Sequence, residues 1–135
     1  KMIKEDKEFT GHIFYIEDNN FNLFLMEKLI ERHYPNCKYS YELNGAKGYQ
    51  KVLECIPDII LIDVNLPDLN GTEILEKLKQ NPDFQNSKML MVTANLSDNV
   101  YNKSITNGCD GFISKPIIIP DFIKIMNRCI SELEI

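Results

Sequence analysis

Long apolar segments, an excess of basic residues and closely paired cysteines are all missing from this sequence of 135 residues. The longest unbroken apolar runs, such as residues 59–62, contain four residues, whereas a membrane-spanning helix requires roughly 20. Residues 1–10 are charged and contain no apolar core of the kind found in a signal peptide. We therefore expect no membrane span in this segment and a cytoplasmic location. Because the chain begins with Lys1 rather than Met, we expect a piece of a longer protein or a processed chain.

The charge balance argues against a nucleic-acid partner. Asp and Glu number 20 against 15 Lys and Arg, which gives a net charge of −5. A surface that neutralises the phosphates of DNA or RNA needs clustered basic residues, and here the basic residues are scattered singly. We expect no direct contact with nucleic acid.

The cysteines are too widely spaced for a C-x-x-C metal or redox motif. They are expected to be reduced and mostly buried thiols, as in a reducing cytoplasm. The four are Cys37, Cys55, Cys109 and Cys129.

Strand and helix patterns alternate from residue 11 to the end, which predicts a parallel sheet covered by helices on both faces. Two of the strands are continuously apolar, as expected of strands buried on both faces. We predict an N-terminal extension over residues 1–10 and one domain over residues 11–135. The predicted strands are 12–16, 38–41, 59–62, 88–93 and 111–114, and the predicted helices are 20–33, 46–56, 72–80, 97–107 and 120–133.

Polar residues that could bind a ligand or take part in a reaction lie at the ends of four of the predicted strands. Glu17 and Asp18 follow the first strand, Asp63 the third, Thr93 ends the fourth, and Lys115 follows the fifth. Ligands of open α/β sheets bind beyond the carboxyl ends of the strands. Three carboxylates, a hydroxyl and an ammonium are therefore predicted to meet at one edge of the sheet.

This combination of groups suits phosphoryl transfer. Three carboxylates about 5 Å apart repel one another by about 3 kcal/mol per pair, and a hard divalent cation with oxygen ligands offsets this cost. Mg²⁺ is the expected ion, with Mn²⁺ as the alternative. A carboxylate can accept a phosphoryl group as a nucleophile, while a cation and a hydroxyl stabilise charge on the phosphoryl oxygens. Taken singly, each residue also has a structural explanation: the Glu17–Asp18 pair, for example, could cap the first helix.

At this point the sequence resembles the receiver domains of two-component response regulators, including the bacterial chemotaxis regulator and the receivers fused to hybrid sensor kinases. The resemblance covers residue 11 to about residue 133. It implies a flavodoxin-like fold: a doubly wound, five-stranded parallel sheet with five helices and strand order 2-1-3-4-5. The motifs that carry it are IEDNNFN at 16–22, IILIDVNLPDLNG at 59–71, VTA at 92–94 and GFISKP at 111–116.

The resemblance also implies a role for each site residue. Asp63 would be the phosphoacceptor and Asp18 the direct metal ligand, with Glu17 acting through a metal-bound water. The backbone carbonyl of Asn65 would be the third protein ligand.

The same resemblance implies a switch. Thr93 would be the switch hydroxyl, Lys115 the phosphate-binding lysine and Phe112 the aromatic switch residue. The bond between Lys115 and Pro116 is expected to be cis.

The expected partners are a histidine kinase or histidine phosphotransfer protein as donor, and a downstream protein as target. Such a domain is a phosphoacceptor that assists its own phosphorylation and dephosphorylation rather than an enzyme. The pattern DNxxN at 18–22 favours a stand-alone receiver or a piece of a hybrid histidine kinase.

Helix 1 carries more apolar residues than a core-facing stripe needs. We expect Phe21 and Phe24 to lie at the rim or outer face, either as ordinary surface residues or as a contact patch for the phosphodonor. The predicted core stripe consists of Asn22, Leu25, Met26 and Leu29.

Three other functions are considered. A haloacid-dehalogenase-type phosphatase would need D-x-D-x-T/V, but Asp63 lacks the second aspartate. A flavodoxin-like cofactor binder would need a Gly- and hydroxyl-rich loop after strand 1, where this chain is acidic. A degenerate receiver that binds proteins without being phosphorylated is the main alternative, although it would normally lack a site residue.

Overall fold

Five strands and five α-helices alternate along the computed structural model, which describes residues 7–133. The strands are β1 (His12–Ile16), β2 (Lys38–Glu42), β3 (Ile59–Asp63), β4 (Lys88–Thr93) and β5 (Gly111–Ser114). The helices are α1 (Asn20–His33), α2 (Gly45–Cys55), α3 (Gly71–Lys79), α4 (Asp98–Thr106) and α5 (Ile119–Ser131). These bounds lie within two residues of the predicted ones, and only the short 3₁₀ helix Pro82–Phe84 was not predicted.

All strand pairs are parallel and their order is β2-β1-β3-β4-β5, which confirms the predicted fold. Ile16 of β1 is in register with Ile62 of β3, and Thr93 of β4 with Ser114 of β5. The carboxyl ends of these strands therefore reach the same edge of the sheet, where the loops to the following helices begin.

The core has two halves, one on each face of the sheet. One half contains side chains of α1 and α5 and the other contains side chains of α2 and α3. Successive residues of β1 alternate between them: Ile13 and Tyr15 face the first half, while Phe14 and Ile16 face the second. Because both faces are covered, the interior positions of the central strands β1, β3 and β4 are apolar on both faces. Each fully buried large aliphatic side chain contributes about 1.5–3 kcal/mol.

The predicted core stripe of α1 was correct for Met26 and partly correct for Leu29, which is half-buried and packs against the core, but it was wrong for Leu25. The buried residues are Leu23, Met26, Ile30 and His33, and Leu25 is 42% exposed. The run at 21–26 is apolar on several faces, so spacing alone allows more than one stripe. The stripe that begins at Leu23 packs on the sheet.

Two further expectations concern the cysteines and the chain start. All four thiols are free, but only Cys129 is fully buried and Cys55 is exposed, so the expectation of mostly buried thiols was wrong.

Phe9 packs into the core at 8% exposure, although it lies in the predicted extension 1–10. Residues 1–6 of that extension lie outside the described residues. Among the described helices, none is long and apolar enough to cross a membrane.

Candidate functional site

Three carboxylates meet at the carboxyl edge of the sheet. One oxygen each from Glu17, Asp18 and Asp63 lies within 4.8 Å of the others. Glu17 and Asp63 are buried and Asp18 is exposed. The strand ends of β1 and β3 thus bring the predicted acidic residues together, with two of them shielded from water and one facing it.

Lys115 provides the positive charge of the site. Its Nζ lies 2.7 Å from Oε1 of Glu17 and 3.3 Å from Oδ2 of Asp63. Its backbone amide donates to the carbonyl of Thr93 at 3.0 Å, and the following bond to Pro116 is cis. The loop after β5 therefore places this ammonium between the two buried carboxylates.

Glu17 is held by several donors besides Lys115. The hydroxyl of Tyr15 donates to Oε1 at 2.8 Å, and the amide of Asn22 approaches the same oxygen at 3.4 Å. The backbone N–H of Asn19 donates to Oε2 at 3.2 Å. No role for Tyr15 was predicted from the sequence. Its place two positions before Glu17, and therefore on the same face of the extended chain, is the signal that could have revealed it.

The electrostatics of the site favour a cation. Burial, and next the charge of Glu17, raise the pKa of Asp63 to about 6. Burial alone would raise the pKa of Glu17, but hydrogen bonds from Lys115 and Tyr15 outweigh it and lower that pKa. Burial alone would lower the pKa of Lys115, but its hydrogen bond to Glu17 and the charge of Asp63 raise it.

The donor set fits Mg²⁺. Three carboxylates and one ammonium sum formally to −2, which a divalent cation balances. Carboxylate oxygens are the ligands that this hard cation prefers. Burial and next the charge of Glu17 raise the pKa of Asp63, and a cation beside these carboxylates would favour the ionised form.

The alternative role of Glu17 and Asp18 as helix caps does not hold. The side chain of Asn19 caps α1, because its Oδ1 accepts from the backbone N–H of Asn22 at 2.9 Å. The two acidic residues precede that cap, so neither side chain occupies the N-cap position of α1.

A tightly packed loop follows Asp63. The backbone N–H of Asn65 donates to Oδ1 of Asp63 at 3.2 Å, and Gly71 donates to the carbonyl of Val64 at 2.8 Å. A Cβ at Gly71 would overlap the carbonyl oxygen of Asp63, so only glycine allows this approach. The carboxylate of Asp68 accepts from two backbone amides at the start of α2. The loop that carries Asn65 is thus anchored at both ends.

The described side-chain contacts of the two predicted switch residues are with Asn95 and Tyr101. The hydroxyl of Thr93 lies 3.1 Å from the amide and 3.2 Å from the carbonyl of Asn95, within its own loop. Phe112 is half-buried and stacks on Tyr101 of α4, with ring centroids 5.3 Å apart. A cavity of about 370 Å³ is lined by both Thr93 and Phe112.

Comparisons with known proteins agree on one family. The family model of the response regulator receiver domain matches residues 13–127. The polar-differentiation response regulator DivK of Brucella anthropi is 30% identical over 124 residues, which cover 89% of this chain and 96% of the relative. The CheY-like receiver domain protein of Methanospirillum hungatei is 26% identical, with a TM-score of 0.82 over 92% of this chain and 96% of that one.

A further solved structure supports the fold alone. The receiver domain of a DNA-binding response regulator from Colwellia psychrerythraea has a TM-score of 0.84 at 19% identity, over 90% of this chain and 98% of that one.

Together, fold, acidic cluster and relatives define a phosphoacceptor signalling domain of two-component systems. The chain belongs to the family of response-regulator receiver domains. Its members are switches rather than enzymes in the usual sense, and they bind Mg²⁺ at an acidic pocket.

Proposed function

We propose that Asp63 accepts a phosphoryl group from a phosphohistidine of a histidine kinase or phosphotransfer protein. The observation that carries this proposal is the position of Asp63: it is buried at the end of the central strand β3, within 4.8 Å of two other carboxylates and 3.3 Å from an ammonium. No other carboxylate of the site lies at the end of β3, directly before the anchored loop.

Asp18, Asp63 and the backbone carbonyl of Asn65 would hold Mg²⁺, with Glu17 beside them. When bound, the ion supplies positive charge that stabilises the oxygens of the transferring phosphoryl group. The exposure of Asp18 supports its role as the residue that meets an ion entering from solvent.

In the transfer, a carboxylate oxygen of Asp63 forms the new P–O bond while the P–N bond to the donor imidazole breaks. The imidazole nitrogen leaves with the electron pair of that bond and takes up a proton from solvent. The ammonium of Lys115 is already close enough to Asp63 to contact a phosphoryl oxygen placed there. A charged donor of this kind stabilises the charge that develops in the transition state.

The signal then passes through Thr93 and Phe112. The Thr93 hydroxyl exchanges its contacts with Asn95 for a phosphoryl oxygen, and Phe112 leaves its stack on Tyr101 and turns inward. The cavity that both residues line offers space for this rearrangement and so supports the proposal. To change the population ratio of the active to the inactive conformation from 1:99 to 99:1, the active one must be stabilised by about 5.5 kcal/mol relative to the other. The new contacts to the phosphoryl group provide this stabilisation, and a downstream protein reads the altered face.

The phosphodonor docks beside the site on α1. Phe21 is 66% exposed and Phe24 is 52% exposed, and Phe21 lines an apolar groove of about 290 Å³ that also includes Lys115 and Ile119. Contiguous exposed apolar side chains are typical of protein-binding surfaces. Lys115 lines this groove and its Nζ lies 3.3 Å from Asp63, so a helix lying on the groove would bring its histidine near Asp63.

The domain extends over residues 11–135 and also includes Phe9, which packs into its core, in a stand-alone receiver or a piece of a hybrid histidine kinase. The DNxxN pattern at 18–22 supports this assignment, and the four free thiols support a reducing, cytoplasmic location.

The decisive experiment uses the protein with acetyl phosphate and Mg²⁺, followed by intact-mass measurement. We expect one added phosphoryl group per chain and none when EDTA replaces Mg²⁺. An unchanged mass with both acetyl phosphate and a phosphohistidine donor would support the alternative, a degenerate receiver that binds partners without being phosphorylated.

A further inference from the structure

We infer that Tyr15 is a positioning residue of the metal site, acting through Glu17. This inference rests on the proposed function, since it concerns the same cluster of carboxylates. Tyr15 is 1% exposed and its hydroxyl donates to Oε1 of Glu17 at 2.8 Å. It is thus the neutral side chain most closely bonded to a carboxylate of the site.

The described donors are distributed unequally between the two carboxylate oxygens of Glu17. Oε1 is approached by Tyr15, Lys115 and Asn22, whereas Oε2 has the backbone N–H of Asn19 as its described donor. A carboxylate has about four lone-pair positions, two on each oxygen. Oε1 is therefore saturated, and Oε2 retains capacity for an ion or its water. The phenol contributes to this division because it occupies one position on Oε1.

The ammonium of Lys115 and the phenol of Tyr15 differ in how many carboxylates each one contacts. Lys115 is shared between Glu17 and Asp63, so it is drawn away from Glu17 when a phosphoryl group on Asp63 competes for it. The described hydrogen bond of the Tyr15 hydroxyl is to Glu17, so a phosphoryl group on Asp63 does not compete for it in the same way. Burial, and next the charge of Glu17, raise the pKa of Tyr15 well above its usual value, so the hydroxyl remains a donor at neutral pH.

The packing of Tyr15 fixes the position of this donor. Its ring lies in the core half formed by α1 and α5, and its backbone pairs with Tyr41 of β2 and Leu61 of β3. A donor held by a central strand cannot follow Glu17 if that side chain rotates. Partners that orient metal ligands in this manner typically alter metal affinity by 10–100-fold when removed.

The test is Tyr15→Phe, which keeps the ring and removes only the hydroxyl. Mn²⁺ binding to the chelator-treated protein is followed by EPR of the free ion. We expect the dissociation constant to rise about tenfold, with an unchanged circular dichroism spectrum. In labelling by acetyl phosphate, the Mg²⁺ concentration at half-maximum should rise by a similar factor, while labelling at saturating Mg²⁺ stays within about twofold of wild type.

The matched control is Tyr39→Phe. Tyr39 is a half-buried tyrosine whose hydroxyl lies 3.4 Å from the carbonyl of Leu23 rather than on a site carboxylate, so its removal should leave Mn²⁺ affinity unchanged. A double-mutant cycle separates action through Glu17 from a general effect. In the Glu17→Gln background, Tyr15→Phe should cause no further loss of affinity.

Two outcomes would overturn the inference: wild-type Mn²⁺ affinity in Tyr15→Phe, or an equal loss in the presence and absence of Glu17. If Tyr15→Phe does not fold, Tyr15→Met serves instead, because this flexible side chain fills the space without a donor. Absence of Mn²⁺ and Mg²⁺ binding in the wild-type protein is a different result, and it would contradict the proposed function itself.

Discussion

Lys115 lies closer to Glu17 than to the proposed phosphoacceptor, with Nζ 2.7 Å from Oε1 of Glu17 and 3.3 Å from Oδ2 of Asp63. In the metal-free protein this lysine therefore serves first as the counter-ion of a buried glutamate. Phosphorylation of Asp63 would change the balance, because a phosphoryl group carries more negative charge than the carboxylate it modifies. The lysine thus has two alternative partners, and the hydroxyl of Tyr15 keeps Glu17 bonded in either case.

The first prediction concerns the acceptor. Asp63→Asn should retain the fold and abolish labelling by acetyl phosphate, because the amide is not a nucleophile for phosphorus. The measurement is intact mass with Mg²⁺, and Asp83→Asn, at an exposed position of the 3₁₀ helix, is the control that should label normally. Stoichiometric, Mg²⁺-dependent labelling of Asp63→Asn at another residue would refute the assignment.

The second prediction separates metal binding from helix capping. Asp18→Ala should weaken Mg²⁺ binding strongly and leave the metal-free protein as stable as wild type or more stable, because a repelling charge is removed. Asn19→Ala, which removes the observed cap of α1, should instead lower the free energy of unfolding by about 1 kcal/mol. Urea unfolding in EDTA compares the two. A loss of several kcal/mol in Asp18→Ala would identify Asp18 as a structural residue.

The third prediction concerns pH. The folded-state pKa of Asp63 is raised from 3.8 to about 6, so folding favours the protonated acid. The contribution of protonated Asp63 to the free energy of unfolding is fully present below about pH 4 and is lost as the pH rises through about 6. Relative to Asp63→Asn, wild type in EDTA should therefore lose on the order of 2–3 kcal/mol of unfolding free energy across this range.

Urea unfolding of both proteins between about pH 4 and pH 7 measures this difference. Saturating Mg²⁺ should abolish most of it, because the ion compensates the ionised carboxylate. A difference between the two proteins that does not vary with pH would show that Asp63 ionises normally in the fold.

The fourth prediction concerns docking. Replacement of Phe21 and Phe24 together by serine should slow transfer from the cognate phosphohistidine protein at least tenfold, the effect of about 1.4 kcal/mol. Labelling by acetyl phosphate needs no docking and should stay near normal. Ile105→Ser removes an apolar side chain of similar exposure on α4 and should leave transfer from the phosphohistidine protein unchanged. Equal losses with both donors would show that the two phenylalanines support the fold.

Local patterns in the sequence were sufficient for the order and type of the five strands and the five α-helices. Continuous apolar runs marked buried strands such as 59–62, because a strand covered on both faces has no polar side. Residues at the strand ends were equally predictable. Once the strands are parallel, Glu17 and Asp63 must reach the same edge, and family motifs then suggested a role for each.

Other features depended on the tertiary structure. The face of α1 that packs on the sheet could not be chosen from a segment apolar on several sides, since docking sets the rotation of a helix. The requirement for glycine at 71 arises from the carbonyl of Asp63, and the stack of Phe112 on Tyr101 arises from the approach of α4 to β5. Composition and periodicity therefore determined which chemical groups stand at the edge of the sheet. Packing between distant segments decided which of those groups touch, because a hydrogen bond such as that from Lys115 to Glu17 depends on where the whole fold places two remote backbone positions.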